Sequence, residues 1–306
     1  MKYLIALATF LATLTNSATQ PVAIPPDAQL APGESGRVAV LIYHHLAPPE
    51  ERPEEPGVIT PERFESHLQM LRAEGYHLAS AAEFAAFLDG RLALPARSVL
   101  ITFDDGYASN YHLGLPLLQK YRAPALIFPV MKYFDTDGKG AYSPHLTREH
   151  ARAMLESGLV AFGSHTYDGH GKVAAGPDGS EQGPFLTTRK WLAEEGRQES
   201  EEEFQARVRA DLERSIATLR SIGVQEEALH FALPWGLGAH ERADLLRSLG
   251  FRYIYTVDDS ELNYGGQQGL VHRMDAGDPT VSAEWLKERL EQLFSAPLPA
   301  EAVTRH

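Results

Sequence analysis

Apolar and polar residues fall in blocks along this chain. Val38-Ala39-Val40-Leu41-Ile42-Tyr43 is a continuous apolar run, the pattern of a strand buried on both faces. Thr60-Pro61-Glu62 then opens a helix, because Thr caps free N–H groups and Pro suits the first helical position. Phe64, Leu68 and Leu71 give it one apolar face, and Gly75 ends it. Ser80 with Glu83 three residues on predicts a capping box for a helix reaching Leu88. Further strands are expected over 98–103, 125–130, 159–162, 228–233, 252–256 and 270–274. Helices are expected over 110–121, 147–157, 241–249 and 282–294. Residues 169–183 are Gly-rich and polar and read as a loop. The charge-dense stretch 197–203 enters a long helix that ends near Ile222-Gly223. No internal repeat interrupts this order.

Strands separated by helices at this cadence imply a parallel sheet with right-handed crossovers, an α/β fold. Seven or eight units form a (β/α) barrel, complete or incomplete. An open doubly wound sheet is the alternative. In both folds functional groups gather at the C-terminal ends of strands. That puts Tyr43-His44-His45, Asp104-Asp105, Ser164-His165 and Pro234-Trp235 on one rim.

Each of these strand ends carries candidate chemistry. Asp104 and Asp105 follow an apolar run, and two adjacent carboxylates there are costly to desolvate unless a cation compensates. Neighbouring carboxyls also push their proton affinities apart, so one can bind metal while the other serves as a base. A plain Asp-Gly turn is the competing account. His165 and His170, with one carboxylate, would make a site with positions open to water and substrate. Asp168 between them is a candidate partner for a histidine ring. A histidine after Tyr43 suits general acid work, against the alternative of an idle rim residue. Trp235, after Pro234, offers an apolar wall for a sugar or acetyl methyl and a backbone N–H for an oxyanion; core packing competes.

Composition narrows the partners. With 28 basic and 41 acidic side chains the formal charge is −13, which repels nucleic-acid phosphate and anionic membranes. A cationic product such as a partly deacetylated amino-sugar polymer would be attracted. There is no cysteine, so disulfides, thiolate ligands and Cys nucleophiles are excluded. Lys2, the apolar run from Tyr3 to Ala12 and the small residues through Ala18 predict a secretory signal peptide over 1–18. A Pro-rich linker follows over 19–37, the domain spans 38–296, and 297–306 is a tail. A secreted, periplasmic or envelope-associated protein without a membrane span is expected.

Thr102-Phe103-Asp104-Asp105 and Ser164-His165-Thr166-Tyr167-Asp168-Gly169-His170 together resemble the polysaccharide deacetylase family, the NodB-homology or family 4 carbohydrate esterases. The histidines stand five apart rather than the usual four, and Tyr43-His44 ends an early strand. Both features look like the subgroup that acts on poly-β-1,6-N-acetylglucosamine of biofilms. The resemblance runs from Val38 to Phe294. It implies a NodB-like barrel and a hydrolase that removes N-acetyl groups from a β-linked N-acetylglucosamine polymer. It makes Asp104 the base, and Asp105, His165 and His170 the ligands of one divalent ion, with zinc, cobalt, nickel and iron all chemically suited. Trp235 and Pro234 would face the substrate and its oxyanion. His44 would be the acid, with His45 its rival. The family's usual third motif has Arg two residues before its Pro; here that position is Ala232, and Arg273 is the candidate substitute for orienting the base.

Peptidoglycan, chitin oligomers and O-acetylated polysaccharides would suit the same machinery. A carbohydrate-binding protein on this scaffold would have lost the base or a ligand, and here all four residues are present. A metal-free glycosidase needs carboxylates on opposite sides of a bond, whereas Asp104 and Asp105 are neighbours.

Overall fold

Apolar runs become parallel strands around a ring. The computed structural model describes residues 36–51, 56–140, 143–225, 229–267 and 269–297. The expected signal peptide, nearly all of the linker and most of the tail lie outside the described residues. Strands β1 (Arg37–Tyr43), β2 (Arg97–Asp105), β3 (Ala125–Pro129) and β4 (Val160–Phe162) pair side by side, all parallel. A second parallel set holds β5 (Leu229–Ala232), β6 (Phe251–Tyr255) and β7 (Leu270–Val271). One parallel bridge from Ser164 to Phe231 joins the end of β4 to β5. On the other side β8 (Met274–Asp275) pairs parallel with β1.

Among these eight strands the order follows chain order from β1 to β8, which lies back beside β1, without the reversal at a switch point that marks a doubly wound sheet. Two short strands are added to this set: His77–Leu78 pairs parallel with β2, and Asn263–Tyr264 pairs antiparallel with β1. The barrel is incomplete: β4 and β5 meet through a single bridge, and among the described residues no pairing joins β7 to β8. The strand expected over 270–274 is two strands, β7 and β8, because this segment must pair with β6 and then with β1. His272 and Arg273 occupy the step between them.

The predicted helices form with their caps. Thr60 accepts from Arg63 N ahead of α1 (Pro61–Ala73), and Ser80 and Glu83 close a capping box at α2 (Ala81–Leu88). Phe64, Leu68 and Leu71 are fully buried, each contributing about 1.5–3 kcal/mol of transfer free energy. The helix expected over 110–121 starts instead as a wide π-turn, Asn110–Gly114, followed by α3 (Leu115–Tyr121). Pro116 has no N–H for the carbonyl of His112, which frees the ladder to widen. Next come α4 (Arg148–Glu156), α5 (Glu201–Ile222), α6 (Ala239–Ser248) and α7 (Ala283–Ser295).

The expected loop over 169–183 contains an antiparallel pair, Lys172–Ala174 with Gln182–Pro184. A second small pair, Trp191–Leu192 with Arg197–Gln198, follows it. Arg207 of α5 ties this insertion down through Glu199 Oε1 (2.7 Å) and the carbonyls of Phe185 (3.2 Å) and Thr188 (2.9 Å). Among the described residues no helix is long and apolar enough to cross a membrane.

Candidate metal centre and active site

The four candidate strand ends do meet on one rim. β2 ends on Asp104-Asp105, and Asp105 takes a left-handed backbone (φ 65°) followed by Gly106 (φ 73°). A side chain at Gly106 would start 2.4 Å from Pro129 Cβ, so only glycine lets the chain turn away there. The two carboxylates then serve different partners.

Asp105 Oδ1 lies 3.2 Å from His170 Nε2 and 3.6 Å from His165 Nε2. One ligand atom from each of the three residues lies within 4.8 Å of the other two. His165 Nδ1 donates to the Ala232 carbonyl at 2.8 Å, which leaves Nε2 with a free lone pair aimed at the cluster. Burial, and then the neighbouring His165, lower His170 to about 4, so its ring is neutral near pH 7. Asp105 Oδ1 is buried and has no hydrogen-bond partner. An unsatisfied carboxylate oxygen facing two imidazole lone pairs is unfavourable alone and suits a divalent cation well. The residues present therefore fit one metal ion.

Asp104 is sealed from solvent and held by Arg273. Arg273 Nη1 donates to Oδ1 at 2.7 Å and Nη2 to Oδ2 at 2.8 Å, a two-pronged pair with both side chains buried. Arg273 Nε donates to the Thr256 carbonyl at 3.0 Å, and the guanidinium lies between the rings of Phe128 (5.5 Å) and Tyr255 (5.8 Å). Burial alone would raise the Asp104 carboxyl, but the Arg273 charge outweighs it and holds the group well below its ordinary range. Arg273 thus comes from the β7–β8 step and occupies the place expected of it. At Ala232 the chain contributes its carbonyl to His165 instead of an arginine to Asp104.

The histidines after β1 have different partners. His44 interacts electrostatically with Asp104, His170 and Asp275. Its ring Nδ1 is buried without a hydrogen-bond partner. His45 instead bonds Ser109 Oγ at 2.8 Å and stacks on Tyr107, with ring centres 4.7 Å apart. Asn110, in the π-turn, donates to the His44 carbonyl at 2.8 Å and fixes this corner. Asp275 and Asn110 escaped the sequence reading; Asp275 follows Arg273 by two residues on the same rim, which was the available signal.

Trp235 is 55% exposed, which rules out the core-packing account. Its indole Nε1 donates to the His170 carbonyl at 3.1 Å, and the two rings lie 5.1 Å apart. Pro234 beside it is buried. Asp168 does not reach a histidine: its carboxylate pairs with Lys132 Nζ at 2.6 Å and is largely exposed. It faces away because the backbone at 167–169 is held from below by α5. Asp105, Thr166 and Trp235 are three of the five non-glycine residues with left-handed φ among the described residues. Such conformations cost about 1–3 kcal/mol each and gather where a site dictates the backbone.

Parallel strands carrying an Asp-Asp strand end, two convergent histidines and a buried arginine on the first carboxylate define a candidate metal site. The sequence profile of the polysaccharide deacetylase family matches residues 92–254, and the chain belongs to that family. It is 28% identical over 234 residues to a poly-beta-1,6-N-acetyl-D-glucosamine N-deacetylase of Escherichia coli (strain K12). That alignment covers 74% of this chain and 34% of the relative, so the chain spans about a third of that relative's length. Among solved structures, a de-N-acetylase from Aggregatibacter actinomycetemcomitans superposes with a TM-score of 0.73 at 27% identity, covering 83% of this chain and 99% of the other. IcaB from Ammonifex degensii superposes with a TM-score of 0.64 at 27% identity, covering 82% and 97%.

Proposed function

We propose that this protein is a metal-dependent hydrolase that removes N-acetyl groups from a β-linked poly-N-acetylglucosamine. The observation that carries the reading is the division of labour between Asp104 and Asp105. One carboxylate is bound to an arginine and the other is unsatisfied against two histidines. The relatives' names favour the β-1,6-linked polymer over chitin or peptidoglycan. Lys2 and the apolar run behind it support export, so the polymer is met outside the cytoplasm.

Asp105, His165 and His170 would hold the ion. When bound, a divalent ion there supplies Lewis acidity toward the acetyl carbonyl and lowers the pKa of water. Asp104 takes the proton of the attacking water. Arg273 keeps Asp104 ionised and fixed in direction, at some cost in basicity. Trp235 offers its backbone N–H to the oxyanion and its ring to the sugar, and Pro234 backs that corner. His44 gives a proton to the leaving amine, because its charge is felt by Asp104 and its Nδ1 has no hydrogen-bond partner, while His45 is engaged with Ser109 and Tyr107.

Acetate release is the direct test. Poly-β-1,6-N-acetylglucosamine, chitin oligomers and peptidoglycan would each be incubated with the protein before and after chelation, then after addition of zinc or cobalt. Release from the first polymer, lost on chelation and restored by metal, is the expected result. Release that survives chelation would remove the metal from the reading. Restored release from another polymer alone would change the substrate.

His44→Ala separates the acid from the rest. An amine leaving group needs a proton, whereas an activated acetyl ester's does not. The variant is expected to slow amide cleavage by about 100-fold or more and the ester far less. Equal losses on both would count against His44 as the acid.

A further inference from the structure

The chain between His165 and His170 forms no helix or strand, yet its N–H groups are accounted for from below. Thr166 N–H donates to Ser164 Oγ at 3.1 Å. Ser164 Oγ–H donates to Ser215 Oγ at 3.0 Å, and Ser215 Oγ–H to the Leu212 carbonyl at 2.8 Å. Tyr167 N–H donates to Asp211 Oδ1 at 2.9 Å and Asp168 N–H to Oδ2 at 2.7 Å. Gly169 N–H lies close enough to the same carboxylate to favour its ionised form. A side chain at Gly169 would start 3.2 Å from Asp211 Oδ1 and 2.7 Å from Phe185 Cδ1, so glycine is needed for this approach.

Successive N–H groups curved around an anion form a nest. Here the anion belongs to the protein and stands on a rigid helix. Asp211 and Ser215 lie on the buried face of α5 among Phe204, Val208, Leu212, Leu219 and Ile222. A carboxylate on an apolar stripe is expensive unless hydrogen-bonded, and these N–H groups supply the bonds. Both Asp211 oxygens are occupied by main chain, so the residue is no ligand. The gripped segment runs from Thr166, at φ 77°, to one residue before His170. Released, Thr166 would relax toward ordinary backbone and carry His170 away from His165.

We propose that Asp211 is a positioning residue for the metal centre: by gripping the backbone of residues 167–169 it sets the separation of His165 and His170, and through it the affinity for the ion. This rests on the metal site proposed above. The stretch between the histidines is thereby held by the helix and does not loosen the site.

The test is zinc affinity of the purified chain, measured by competition with a chromophoric chelator and independent of turnover. Wild type, Asp211→Ala, Asp211→Asn and Leu219→Ala would be compared, with the thermal midpoint of each metal-free chain. Leu219 is buried in the same helix two turns further on and gauges general loosening. Asp211→Ala is expected to bind zinc about 10- to 100-fold more weakly. Asp211→Asn, which keeps one acceptor oxygen, should show a smaller loss. Leu219→Ala should lower the midpoint yet leave zinc affinity within about twofold, a change much smaller than the loss of a ligand-orienting contact. Unchanged affinity in both Asp211 variants overturns the proposal, and so does an equal loss in Leu219→Ala. If the alanine variant does not fold, Asp211→Asn against Leu219→Ala decides it. A wild-type chain that binds no zinc and no cobalt would overturn the metal reading itself, a separate result.

Discussion

Arg273→Met is expected to destabilise the folded chain by about 3–5 kcal/mol, because it leaves a buried carboxylate without its partner. Both charges are sealed inside the barrel, with Arg273 1% and Asp104 3% exposed. The same substitution removes the charge that keeps Asp104 ionised, so acetate release should fall with stability. Asp104→Asn is expected to destabilise for the mirror reason, since it strands the guanidinium between Phe128 and Tyr255. The double variant separates the effects. With both charges gone, Asp104→Asn/Arg273→Met should be more stable than either single variant, while turnover stays down by about 10²- to 10⁴-fold, the usual loss of a general base. Urea denaturation and acetate release on the four proteins check this. A double variant no more stable than the singles would deny the pair its role. A double variant that turned over normally would deny Asp104 its role as base.

Asp105→Ala is expected to abolish stoichiometric metal binding and to lower turnover by about a thousandfold or more, given several kcal/mol of Lewis-acid stabilisation. Its stability should move the other way from that of Arg273→Met. In the metal-free chain Asp105 Oδ1 is buried and unsatisfied, and removing it relieves a desolvation penalty. The metal-free variant is thus expected to be at least as stable as the metal-free parent. Metal analysis after dialysis, with thermal midpoints in the presence and absence of zinc, checks both halves. Full metal occupancy in Asp105→Ala would reassign the ligand. A marked loss of metal-free stability would mean that Asp105 has a structural partner.

The two experiments treat neighbouring residues as opposites. On the proposed reading Asp104 stabilises the fold through Arg273, and Asp105, unsatisfied without a cation, burdens it. Function near the rim is bought with strain at Asp105, Thr166 and Trp235, and the buried side of α5 supplies the restraint.

Much of this was legible in the sequence because it depends on local pattern. Continuous apolar runs mark buried parallel strands, capping residues mark helix starts, and the C-terminal ends of strands mark the rim. Those rules located Asp104, Asp105, His165, His170, His44 and Trp235 on one face. Their places at strand ends paired the two histidines with one carboxylate, and the family resemblance implied that it is Asp105. Where chemistry is local, as in the caps at Thr60 and Ser80, reading and structure agree.

The rest depends on groups far apart in the chain that only folding brings together. The sequence offered Arg273 as a candidate, but its grip on Asp104 spans 169 residues and requires the strand to break between β7 and β8. Asp168 was the obvious acid near the histidines, and the fold turned it out to Lys132. The acid that does act on that segment, Asp211, looks in sequence like one more charge in a charged helix. Its burial, and its bonds to the Tyr167 and Asp168 N–H groups, are set by how α5 packs against the rim. The sequence by itself determined which residues could do chemistry and on which rim they would stand. Tertiary structure decided which carboxylate is neutralised by arginine and which is left unpartnered beside the two histidines, because burial and partner charge are properties of packing and not of neighbours along the chain.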